Sequence, residues 1–84
     1  MIPRHMPVTP AEADQRIILS RQTYHRYRAM IDDGILPDRD MLLFDQEILQ
    51  LNMMAEAFPE KAGKLVSLAD DWKTLWRRLR DTMH

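Results

Sequence analysis

At 84 residues, with 45% hydrophobic and 30% charged side chains, two glycines and no cysteine, the chain reads as one compact, helix-prone domain. The missing cysteine excludes disulfides, thiolate metal sites and thiol nucleophiles, and a formal charge of −1 excludes a bulk field that would attract nucleic acid or acidic lipid. A chain this short buries only about 60–65% of its unfolded surface, so a partner surface is what could supplement its core.

The first segment, Met1-Ile2-Pro3-Arg4-His5-Met6-Pro7, lacks the apolar stretch of a signal peptide, and residues 1–8 read as a flexible leader before a single domain over 9–84. The longest apolar run, Met41-Leu42-Leu43-Phe44, falls far short of the roughly 20 residues of a membrane span. A cytoplasmic location is the expectation.

A helix start follows at Thr9-Pro10-Ala11-Glu12, where the Thr hydroxyl can accept from the Glu12 amide and Pro10 takes the first helical position. Ala13, Ile17, Ser20, Tyr24, Tyr27 and Ile31 then recur every three or four residues, and Gly34 is placed for a left-handed ending, which predicts a first helix over about 10–33. Asp38 and Asp40 suit the start of a second helix over about 39–57, with Met41, Phe44, Ile48, Leu51, Ala55 and Phe58 as its buried stripe. Pro59 and Glu60 open a third, over about 60–82, in which Leu65, Leu68, Trp72, Leu75 and Leu79 form the stripe and Gly63 is a weak spot. Short connections make neighbours antiparallel, so the expected fold is an all-α, up-down-up three-helix bundle, with dimerisation as one way of completing it.

The small net charge conceals an alternation. Residues 16–31 carry Arg16, Arg21, Arg26 and Arg28 with no acid, residues 32–60 carry eight carboxylates against Arg39, and residues 61–84 carry six bases against Asp70, Asp71 and Asp81. An acidic middle helix between two basic ones favours this packing order, although each exposed pair contributes only about 0–1 kcal/mol.

The second and third helices have more apolar surface than two neighbours must cover. Leu42, Leu43, Leu49, Met53 and Met54 widen the second helix's face, and Val66, Ala69, Trp76 and Met83 do the same on the third. A surplus of this kind in so small a chain points to closure by another protein or a second copy, through Leu42, Leu49, Met53, Met54 and Trp76 above all. Trp72 and Trp76, four apart beside Lys73, Arg77, Arg78 and Arg80, read as core packing before they read as a base-stacking platform.

Catalytic and metal signatures are missing. The acidic stretch from Asp32 to Asp40 fails calcium-loop spacing, His5, His25 and His84 lack zinc-like spacing, and Ser20 and Ser67 lack a nucleophile elbow. The expectation is a protein without catalytic residues, metal or cofactor. His25, in a charged stripe with Arg21 and Arg28, carries no role on its own.

One stretch has a different affinity. Thr9-Pro10-Ala11-Glu12-Ala13, the run Ser20-Arg21-Gln22-Thr23-Tyr24-His25-Arg26-Tyr27, and Gly34-Ile35-Leu36-Pro37 together resemble the helix-turn-helix of small winged-helix regulators of the MerR and excisionase groups, over residues 9–51. The resemblance implies a DNA-binding regulator with Arg21, Gln22, Thr23, His25 and Arg26 at the major groove. The chain departs from the pattern at Ile18, where the family's turn has Gly, at Arg16 in a core position, and in three extra residues before Gly34. These departures suit one continuous helix. The leading expectation is therefore a small non-catalytic helical protein that binds another protein as adaptor, modulator or inhibitor, or self-associates; DNA binding is the alternative.

Overall fold

The computed structural model describes Pro7, residues 9–35 and residues 41–82, apart from the side chains of Met41, Leu42 and Thr82. The expected leader, the Asp38 and Asp40 caps, and the two terminal histidines lie outside the described residues.

Thr9, in an extended conformation, caps α1 (Pro10–Asp32): its Oγ1 accepts from the Glu12 amide at 3.2 Å, and Pro10 opens the helix where no amide donor is needed. The helix ends as Gly34 turns left-handed at φ 79°. The Gly34 amide donates to Ile31 O at 3.1 Å and the Ile35 amide to Met30 O at 2.8 Å, which satisfies carbonyls that the last turn would leave open. α2 (Met41–Ala57) follows and is closed by a bond from the Phe58 amide to Met54 O at 2.8 Å. The third helix was expected from residue 60 in one piece. Instead Pro59–Lys61 forms a single 3-10 turn, tightened by the Lys61 amide on Phe58 O at 2.9 Å, before α3 (Ala62–Thr82) takes over.

The described residues form an all-α three-helix bundle without a strand, with elements in the order expected. Three contacts fix the directions. Asp14–Lys61 near the start of α1 and Asp32–Arg78 near its end make α1 parallel to α3, and Asp45 on α2 meets Trp76 on α3 in the antiparallel sense. The core holds Ala13, Ile17 and Ile31 from α1, Phe44, Leu51 and Met54 from α2, Phe58, and Leu65, Leu68, Ala69, Trp72, Leu75 and Leu79 from α3. Trp72 is its centre: Tyr24, Tyr27 and Phe44 all meet its ring edge-to-face, with centroids 5.1–5.8 Å away.

The stripes of α1 and α3 fall where their spacing places them. That of α2 is rotated. The expected line Phe44, Ile48, Leu51, Ala55, Phe58 becomes Phe44, Glu47, Leu51, Met54, Phe58, with Ile48 and Ala55 only partly buried. The Glu47 and Gln50 flank is turned inside, where both side chains meet Arg16 of α1. No helix is long and apolar enough to cross a membrane, among the described residues.

Candidate protein-docking face

Rotation of α2 decides which apolar residues remain outside. Leu49 and Met53, four apart and so on one face, are 60% and 46% exposed, on the side of α2 turned away from the core. Leu43, at 36%, is on the helix flank. Asp45, Gln46 and Glu56 are exposed on the outer surface of the same helix, and α2 contains no lysine or arginine. The result is a short apolar stripe with an acidic and amide rim.

Of the residues expected on a docking surface, Leu49 and Met53 are exposed. Met54 is not: it is fully buried in the chain's own core, because the rotation that lifts Leu49 out carries Met54 in. Trp76 is also corrected. It is partly buried against the core, its Nε1 donates to Asp45 Oδ1 at 2.7 Å, and Arg80 covers its ring at 5.5 Å. Its surface is thus used within the bundle, to tie α3 to α2. Ala69 is likewise buried, whereas Val66 is 44% exposed. Leu42 shares the helical face of Leu49, but its side chain lies outside the described ones, as does Met83.

A second cluster lies inside the bundle, and sequence reading missed it. Arg16 of α1 and Glu47 of α2 are 6% and 5% exposed. Arg16 Nη2 donates to Gln50 Oε1 at 2.5 Å and stands 3.9 Å from Glu47 Oε1. Ser20, fully buried, accepts from Trp72 Nε1 at 3.0 Å and lies beside the Glu47 carboxyl. The polar path Trp72–Ser20–Glu47–Arg16–Gln50 therefore joins all three helices. Desolvation pushes the Glu47 carboxyl above its ordinary value of 4.5, against the lowering influence of the Arg16 charge and the Ser20 hydroxyl. The signal was present in the sequence: a cation and a carboxylate each stand at helical spacing within an apolar stripe, on consecutive helices.

The candidate DNA-contacting residues are on one uninterrupted helix. α1 runs through Ile18 and Leu19 without a break, so the turn that the helix-turn-helix resemblance requires there is absent from the described residues. Arg21, Gln22, His25 and Arg26 are exposed together on one side of the helix, Thr23 is half-buried with its hydroxyl donating to Leu19 O at 3.0 Å, and His25 meets the Tyr24 ring at 5.4 Å. Trp72, being buried, offers no stacking platform. Among the described residues no group of three His, Asp or Glu side chains converges as a metal site requires.

Comparison with protein-family models, with curated proteins and with solved structures gave no match.

Proposed function

We propose that this chain is a non-catalytic binding module that docks another protein on the outer face of α2, serving as an adaptor, modulator or inhibitor. One observation carries this: Leu49 and Met53 stand side by side in solvent on a helix whose opposite face already fills the core. A large apolar side chain left outside once costs little, but neighbouring ones on a stripe between polar residues are the pattern of a surface that a partner covers. Met53 adds an adaptable, polarizable contact suited to a partner helix. The partly exposed flank at Leu43 and the lone Val66 of α3 extend the apolar surface at its margins.

The test compares the full chain with Leu49→Gln/Met53→Gln, a variant whose changes lie outside the core. Tagged versions of both are used for affinity capture from cells of the source organism, and both are sedimented at matched concentrations. A specific partner, or an association with itself, that the wild type holds and the variant loses is the expected result. Equal recovery of every protein by both chains, together with equal sedimentation, would contradict it.

A further inference from the structure

The charge around the α2 stripe says what kind of surface would cover it. Resting on the reading of α2 as a docking face, we propose that its occupant is a short amphipathic helix with lysine or arginine flanking its apolar side. Leu49 and Met53 would meet the apolar ridge, and the carboxylates of Asp45 and Glu56 would meet the cations.

Three observations support this occupant over a second copy of the chain. First, every charged residue of α2 is acidic, and Asp45 and Glu56 are both exposed, near the two ends of the Leu49–Met53 stripe. The Asp45 carboxylate is held in place by the Trp76 indole, a neutral donor that orients it. Second, self-pairing brings like charges together. An antiparallel pair of α2 helices about a two-fold axis between Leu49 and Met53 sets Asp45 of one copy near Glu56 of the other, and a parallel pair sets each carboxylate against its own counterpart, with no cation on either helix to offset them. Third, the area is small. The two exposed side chains offer on the order of 200 Å² of apolar surface, against about 800 Å² per partner in a stable interface. A single helix anchored at positions i and i+4 is matched to a stripe of that size, and rim charge would supply its specificity and on-rate.

The experiment uses three labelled synthetic helical peptides of roughly 15 residues with the same leucine stripe and with Lys, Gln or Glu at the flanking positions. Fluorescence anisotropy reads their binding to the full chain at low salt. The Lys-flanked peptide is expected to bind roughly fivefold tighter than the Gln-flanked one, with the Glu-flanked one weakest, and the advantage should shrink as salt screens the rim. Asp45→Lys/Glu56→Lys should invert the order, and Glu56→Lys alone, which spares the Trp76 bond, should weaken the preference for Lys. Circular dichroism of each variant checks its helix content. No binding of any peptide, or an order that the reversed charges leave unchanged, would overturn the proposal. If Leu49→Gln/Met53→Gln weakens all three peptides equally and no order among them is seen, the cationic partner falls and the α2 face stands. A dimer that the same double variant dissolves has the same meaning, with a second copy as occupant. If the double variant changes neither peptide binding nor sedimentation, both fall.

Discussion

Arg16 and Glu47 present the sharpest conflict between local pattern and environment. Each is a charged residue in a nearly water-free position, and taking such a pair out of water costs several kcal/mol that their attraction only partly returns. At 3.9 Å the two are not directly hydrogen-bonded; Gln50 and Ser20 are what accommodate them. Arg16→Met is therefore expected to cost about 3 kcal/mol, the low end for a broken buried pair, because Glu47 can take up a proton. Arg16→Met/Glu47→Leu should return to within about 1 kcal/mol of the wild type in urea unfolding; a double variant as unstable as the sum of its parts would show that the two charges are not energetically coupled. The pH dependence has a definite sign. A carboxyl raised above 4.5 by folding keeps a proton that the unfolded chain has released, so its contribution favours the fold at low pH and is lost as pH rises through the raised value. Thermal unfolding of Glu47→Gln relative to the wild type should shift in the variant's favour between about pH 4 and about pH 7, and a constant difference across that range would contradict the assignment. The sequence showed Glu47 at a helical spacing from Phe44 and Leu51, yet a carboxylate there reads as solvated until Arg16, Ser20 and Trp72 arrive from other helices.

Among the elements, caps and breakers were the most legible features, because their chemistry is local. Thr9, Pro10 and Gly34 act within a few residues, and the start and end of α1 fall where they dictate. Rotation of α2 was not legible, since two stripes offset by one residue, at Ile48 or Glu47 and at Ala55 or Met54, satisfy the helical period equally well. Only the way the other two helices pack against α2 chooses between them. Two glycines separate backbone cost from packing cost. A Cβ meets nothing within 4 Å at either, but Gly34 has positive φ and Gly63 does not. Gly63→Ala should raise stability by about 0.5–1 kcal/mol, and Gly34→Ala should lower it by about 1 kcal/mol. Chemical denaturation of the two variants checks both signs, and a loss of stability in Gly63→Ala would mean that the start of α3 needs its flexibility.

For the whole molecule, the alternation of charge by segment foretold the order of packing but not the contacts that secure it. α1 is fastened to α3 by the acids near its two ends, Asp14 on Lys61 and Asp32 on Arg78, although both helices are rich in cations. Acidic α2 contributes an internal pair through Glu47 and leaves Asp45 and Glu56 outward. The surplus of apolar side chains that a sequence of 84 residues displayed is absorbed only in part: Met54 and Ala69 belong to the core and Trp76 is tied to Asp45, whereas Leu43, Leu49, Met53 and Val66 stay exposed. What remains is narrower and more informative, a stripe at Leu49 and Met53 bordered by carboxylates. The measurement that most directly tests the claim that this stripe is the working surface is amide chemical-shift mapping of the full chain during titration with the Lys-flanked peptide. Shifts concentrated on α2 around Leu49 and Met53, and removed by Leu49→Gln/Met53→Gln, are the result predicted. Shifts centred instead on Arg21, His25 and Arg26 of α1, with α2 unmoved, would contradict it.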